Sequence, residues 1–140
     1  MIVSHGITIK KESEIYETAA WGNEDQEDFL NQVIEVETSK SPQRLLKISQ
    51  LIENEMGRVR YEKWGKRLID IDLLYFNDLV FQEADLTLPH PGIADRRFTL
   101  IPLVEIAPDF VHPELQKTQH ELLNDCPDTL EVKAFAPQQG

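Results

Sequence analysis

Apolar and polar residues alternate near the start of the chain. Ile7 and Ile9 are interleaved with Thr8 and Lys10, and the run continues into "SEIYET". A period of two marks a half-buried strand, so the pattern predicts a strand over residues 7–17. The stretch "AAWGNEDQED" is polar after Trp21 and reads as a loop. "FLNQVIEVET", residues 29–38, predicts a second strand, because β-branched Val33, Ile34 and Val36 suit a pleated surface. The period then changes to that of a helix. In "KSPQRLLKISQLIENEMG", Leu45, Ile48, Ile52 and Met56 fall on one face. Ser41 can cap this helix, Pro42 suits its first position, and Gly57 fits a C-terminal stop.

The next ten residues read as a basic loop, followed by the strand "LIDIDLLYF", residues 68–76. Asn77 and Asp78 suggest a turn into "LVF", and "LTL" at 86–88 is another short strand. "PHPG" makes a rigid loop. "DRRFTLIPLVEIAP" predicts a helix capped by Asp95 and cut short by Pro102. "TQHE", Thr118 to Glu121, matches a capping box ahead of Leu122 and Leu123. "LEVKAF" predicts a last strand. Interleaved strands and helices with hairpins point to an α+β fold with a mainly antiparallel sheet.

Composition narrows the function. The 140 residues suit one domain, residues 1–140, with a proper core. No apolar run approaches the ~20 residues of a membrane span, and the opening lacks a signal-peptide stretch. The single cysteine, Cys126, cannot form an intrachain disulfide, which favours a cytoplasmic setting. A net charge of −11 argues against a general nucleic-acid binder. Yet Arg58, Arg60, Lys63, Lys66 and Arg67 fall within ten positions, with Arg96 and Arg97 later. Such a cluster in an acidic chain is either a solvated loop or the seat of a small anionic ligand.

The chemistry centres on Asp70 and Asp72. Carboxylates in an apolar run are costly unless they face solvent or meet a cation. On a strand both project from one face, while Ile69, Ile71 and Leu73 take the other. Two close carboxylates suit Mg²⁺, which keeps waters and takes further ligands from substrate phosphates. The other reading is a solvent-facing strand edge. Arginines just upstream add what phosphoryl transfer requires. Trp64 is either a lid or a core anchor. His90, between prolines, either contacts phosphate or carries a proton, or is structural. Phe29 and Asn31 share a strand face and either read a small heterocycle or pack the core.

Together, "IYETAAWGNEDQEDFLNQVIEVET", "LIENEMGRVR", "KWGKRLIDIDLLYF", "LTLPHPG" and "DRRFTLIPLVEIAP" resemble the 6-hydroxymethyl-7,8-dihydropterin pyrophosphokinase family of folate biosynthesis. They occur in the family's order from about residue 7 to 110, and R-x-x-D-x-D joined to L-P-H-P is specific. The resemblance implies a ferredoxin-like α+β sandwich and a diphosphotransferase that moves pyrophosphate from ATP to the pterin hydroxymethyl group, releasing AMP. It implies two Mg²⁺ ions held by Asp70 and Asp72. Phe29 and Phe98 would sandwich the pterin, with Asn31 bonding its edge and Thr18 and Trp21 lining that side. Glu53 and His90 would lie along ATP. Arg58, Trp64 and Arg67 would belong to a mobile loop closing over it, and Arg96 would approach the substrates. ATP and the pterin are the expected partners of a monomer, with no nucleic acid and no membrane.

The chain departs from the family pattern at its start, where "MIVSHG" resembles the end of the family's first helix. The expectation is an N-terminally shortened domain without the first strand and most of that helix. A truncated reading of the gene, a strand from another chain, or a degenerate member would each explain it. Ala19 and Ala20 stand where prolines are common, and Lys66 where "W-G-P-R" is frequent. Tuned loop motion is the expected effect. An alternative function is a non-catalytic relic or subunit that binds nucleotide or pterin. A two-metal nuclease or D-x-D glycosyltransferase fits the acidic surface less well.

Overall fold

The computed structural model describes residues 6–18, 29–64 and 71–135, with backbone only for Phe29 and residues 56–64. In chain order the elements are β1 (Thr8–Glu12), β2 (Tyr16–Thr18), β3 (Phe29–Asn31), β4 (Ile34–Glu37), α1 (Pro42–Trp64), β5 (Phe81–Glu83), β6 (Leu86–Leu88), α2 (Arg97–Ile106), α3 (Gln119–Asp125) and β7 (Val132–Ala134). β1 pairs with β4, β2 lies between β3 and β7, and β5 pairs with β6. The β2 and β5 pairings are antiparallel. The class is α+β, as the alternation of patterns predicted, and consistent with a ferredoxin-like arrangement. No helix among the described residues is long and apolar enough to cross a membrane.

The chain divides into two compact units. One comprises Met1–Thr8 and Val36–His90, the other Ile9–Glu35 and Pro91–Gly140.

In the first unit α1 supplies the core. Ser41 accepts the Arg44 amide at 3.2 Å, and Pro42 opens the helix as expected. Ile7, Leu45, Ile48 and Ile52 form a buried cluster, against which Val36, Ile71, Leu73 and Phe76 pack. The expected stop at Gly57 fails: α1 runs on to Trp64. A mid-helix glycine costs only about 1 kcal/mol, and no proline follows until well past Trp64. Arg58, Arg60, Lys63 and Trp64 therefore sit on a helix, not on a loop.

The strand predicted over 68–76 is also corrected. Residues 71–75 have no regular secondary structure and Phe76 lies in a bend, so they join no ladder among the described residues, and 68–70 lie outside them. Their backbone is satisfied otherwise. The Ile71 amide donates to a Glu53 carboxylate oxygen, and the Leu74 carbonyl accepts from the His90 amide at 2.8 Å. The alternation still works, since Ile71 and Leu73 reach the core while Asp72 is exposed. Asn77 takes φ 52° in the expected turn, and β5 and β6 form the expected hairpin.

The single long strands predicted over 7–17 and 29–38 are each broken. Ser13 is the cause. Its hydroxyl accepts the Val33 amide at 3.0 Å and donates to the Glu14 carbonyl at 2.7 Å, while Gln32 Nε2 holds the Ser13 carbonyl at 2.7 Å. The Ser13 amide also donates to the Val33 carbonyl at 2.9 Å, so Ser13 ties the two broken segments together through side chain and backbone. Glu105 then captures the Glu14 amide through both carboxylate oxygens at 3.1 Å. It also accepts the Tyr16 hydroxyl at 2.6 Å, which with burial pushes that phenol up to about 12.

α2 is not capped by Asp95, which lies in a preceding 3-10 turn, Ile93–Asp95. The Arg97 amide is instead taken at 3.0 Å by Asp128, a residue remote in sequence. Pro102 lies inside α2 without ending it. α3 begins with the predicted capping box: Thr118 and Glu121 bond each other's amides at 2.9 and 3.1 Å. Leu100, Leu103 and Leu122 are buried along these helices.

His112 organises the link between α2 and α3. Its Nδ1 accepts the Glu114 and Leu115 amides at 3.1 and 3.0 Å, so that nitrogen must be unprotonated. Burial lowers its pKa, with Glu114 opposing. The native state then binds fewer protons than the unfolded chain below about pH 6.5. This contribution to stability is complete above that pH and is lost as pH falls. Thermal melts at about pH 7.5 and 5.5 should show a loss for the wild type that His112→Gln lacks. Parallel pH dependence in both proteins would contradict this role.

Candidate functional site

The candidate residues divide cleanly between the two units, and each group is described within its own.

The first unit holds the phosphate- and metal-type residues. Asp72 follows Ile71, whose side chain is anchored on α1, so its carboxylate projects to solvent with a relative exposure of 56%. His90 follows the cis Leu88–Pro89 bond and is bonded through its amide to Leu74. Its ring Nε2 lies 4.0 Å from Asp72 Oδ2. Leu74 is two residues from Asp72, so this backbone bond brings the "LPHPG" segment alongside the acidic one. Glu53, on α1 next to buried Ile52, directs its carboxylate to the Ile71 amide. Arg58 and Trp64 are placed on α1 by their backbone, which corrects their assignment to a loop. Arg67 and Asp70 lie outside the described residues.

Asp72 alone offers hard oxygen to a divalent cation, with His90 beside it. No group of three or more His, Cys, Asp or Glu side chains is gathered at metal distance among the described residues. The donor chemistry fits Mg²⁺, which binds through one or two carboxylates and completes its shell with water and phosphate.

The second unit holds the aromatic and amide residues. β2 is the middle strand of its sheet, with Thr18 opposite Phe29 and Tyr16 opposite Asn31. The Phe29 and Asn31 positions thus share one strand with two-residue spacing, as the sequence pattern required. Asn31 is half-buried. Thr18 is 3% exposed, and its hydroxyl finds no hydrogen-bond partner among the described residues. A buried hydroxyl left unpaired costs about 1–3 kcal/mol, so an oxygen here with unused donor and acceptor capacity invites a ligand. Trp21 lies outside the described residues.

Phe98 stands in the first turn of α2, and Arg96 immediately precedes that helix. The Arg96 guanidinium carbon sits 5.9 Å from the Phe98 ring centroid, at the reach of a cation–π contact. Sequence reasoning named both residues but not their pairing, nor the glycine that allows it. A Cβ at Gly92 would lie 2.8 Å from Arg96 Cζ and Nε. Gly92 has φ −93°, so space rather than backbone conformation is what the glycine supplies. The guanidinium is the far end of a flexible side chain and would swing away from an added methyl. Gly92→Ala should therefore shift the Phe98 ring resonances in NMR while changing stability by only about 0.5 kcal/mol. Unchanged ring resonances would show that Arg96 does not rest there.

Comparison with known proteins fits this inventory. The family model for 7,8-dihydro-6-hydroxymethylpterin-pyrophosphokinase matches residues 2–108. The chain is similar to the 2-amino-4-hydroxy-6-hydroxymethyldihydropteridine pyrophosphokinase of Synechocystis sp., with 42% identity over 86% of this chain and 63% of the relative. The proteins of the same name from Bacillus subtilis and Aquifex aeolicus are 47% and 44% identical. Those matches cover 71% and 82% of this chain, and 60% and 72% of the relatives. The chain thus spans about three fifths of the length of the first two relatives. Asp72, His90, Arg96 and Phe98 all lie inside the matched segment, and the chain belongs to the 7,8-dihydro-6-hydroxymethylpterin-pyrophosphokinase family.

Proposed function

We propose that this chain transfers the pyrophosphoryl group of ATP to the hydroxymethyl oxygen of 6-hydroxymethyl-7,8-dihydropterin, releasing AMP, as a step of folate biosynthesis. The observation that carries the reading is the exposed Asp72 carboxylate with His90 beside it, inside a family match covering residues 2–108. In the reaction, the pterin hydroxyl oxygen bonds to the β-phosphorus and the bond from that phosphorus to the α-phosphate oxygen breaks. AMP leaves with that oxygen, and the hydroxyl proton passes to solvent.

Two Mg²⁺ ions held by Asp70 and Asp72 would supply charge neutralisation on the phosphate oxygens. The remaining work falls to positioning and fixed charge. Arg58 and Arg67 offer forked contacts to phosphate, with Arg96 approaching from its own segment. Trp64 and Arg67 belong to the stretch that would exclude water from the phosphates. His90 has a ring nitrogen near Asp72 and is suited to phosphate contact. On the pterin side, Phe29 and Phe98 supply stacking faces and Asn31 a donor–acceptor edge. Trp21 lines the same side, and the unpaired Thr18 hydroxyl favours a polar ligand there. ATP and the pterin are the proposed partners of a monomeric, cytoplasmic enzyme that binds neither nucleic acid nor membrane.

The test is AMP release from Mg·ATP, with and without the pterin. Pterin-dependent AMP is the expected product. Asp72→Ala should lower the rate by about 10³-fold or more, because charge stabilisation of this kind is worth several kcal/mol. Its thermal stability should change by less than about 1 kcal/mol, since the side chain is exposed. Nucleotide or pterin binding without turnover would assign the chain a binding role instead.

A further inference from the structure

We propose that Glu53 is a positioning residue for Asp72 rather than a direct contact to the nucleotide. It acts by holding the peptide amide of Ile71, which in sequence lies between Asp70 and Asp72. The inference rests on the reading of Asp72 as a metal ligand.

An acidic ligand must be presented at a fixed place to be useful. In most strands the ladder provides that fixity. Here residues 71–76 join no ladder among the described residues. Their side chains are held, because Ile71, Leu73 and Phe76 pack on the α1 cluster. Apolar packing is non-directional, however, and tolerates sliding of a segment along its support. A slip of one residue would turn Asp72 inward, because successive side chains alternate. The directional restraint next to Asp72 is the bond from the Ile71 amide to Glu53. Its acceptor is a carboxylate oxygen, and hydrogen bonds from a backbone amide to a carboxylate are among the stronger ones.

Glu53 is well founded for the task. It follows Ile52, which is 4% exposed, on the same helix that carries Leu45 and Ile48. The helix that buries Ile71 therefore also grips its amide. Moving along the acidic segment, His90 supplies the next restraint through its amide bond to the Leu74 carbonyl at 2.8 Å. Asp72 lies between these two fixed points. The family resemblance implied that Glu53 would lie along ATP, whereas one of its carboxylate oxygens is taken by the Ile71 amide.

The experiment uses Glu53→Ala, Glu53→Gln and Asp72→Ala, each with its melting temperature checked. Three quantities are read: the Ile71 amide resonance, Mn²⁺ binding by electron paramagnetic resonance with a non-hydrolysable ATP analogue present, and binding of that analogue in EDTA. Glu53→Ala should shift the Ile71 amide and weaken Mn²⁺ binding by about tenfold or more, the usual cost of removing a residue that orients a ligand. Analogue binding in EDTA should stay within about twofold, because no direct contact is lost. Glu53→Gln keeps an acceptor oxygen at the same reach and should restore most of the Mn²⁺ affinity. Mn²⁺ binding lost in Asp72→Ala but kept in Glu53→Ala overturns the inference alone. So does analogue binding in EDTA that falls equally in both Glu53 variants. If the wild type binds no Mn²⁺, or Asp72→Ala binds it as tightly as the wild type does, the metal reading fails and the inference with it.

Discussion

The acidic segment depends on one packing contact, the face of α1 made by Leu45, Ile48 and Ile52 against Ile71, Leu73 and Phe76. Each of the three helix residues is at most 7% exposed. Burying such a side chain contributes about 1.5–3 kcal/mol. No ladder supports residues 71–76 among the described residues, so this face carries the segment that a sheet would otherwise carry. Once Ile71 and Leu73 are turned inward, Asp72 must turn outward. Its exposure follows from the pattern of its neighbours and not from any partner of its own. The bond from Ile71 to Glu53 and the one from His90 to Leu74 then fix the segment along its length. Binding chemistry is laid over a structural periodicity, and the same alternation serves both.

The aromatic side of the chemistry uses a different device. β2 is central in its sheet, which places Thr18, Phe29 and Asn31 in a fixed register. That register starts after a break at Ser13, whose hydroxyl accepts the Val33 amide across the chain and donates to the neighbouring Glu14 carbonyl. Glu105 holds the start of β2 through the Glu14 amide and the Tyr16 hydroxyl. The loop before α2 shows a third device, in which the absence of a side chain at Gly92 gives the Arg96 guanidinium room to lie toward Phe98. These candidate residues are thus set by strand register, by a borrowed carboxylate and by empty space.

Much of this was legible in the sequence, and the failures share a cause. Local signals were read correctly: Ser41 and Pro42 at the start of α1, the Thr118–Glu121 box, the turn at Asn77 and the alternation around Asp72. Each depends on residues within a few positions of one another. The misread features depend on distant partners. Asp95 looked like the cap of α2, but Asp128 takes that amide from a site far along the chain. The strand over 68–76 had the right composition but finds no ladder among the described residues. Gly57 had the right identity for a stop, yet its cost is too small to end a helix flanked by good helix formers. The bond from the Ile71 amide to Glu53, which the family resemblance set along ATP, likewise joins residues distant in the chain. The motif residues were found by their order along the chain, whereas their support came from contacts that no spacing rule encodes.

The coupling of the acidic segment to α1 is open to direct measurement by native-state amide hydrogen exchange. The Ile71 amide should be protected in the wild type, with an opening free energy equal to that of the Ile48 and Ile52 amides. In Ile52→Ala, a change that costs about 2–5 kcal/mol at a buried site, all three should lose protection together. An Ile71 amide that exchanges freely in the wild type, or that keeps its protection when α1 opens, would contradict a segment held by the helix.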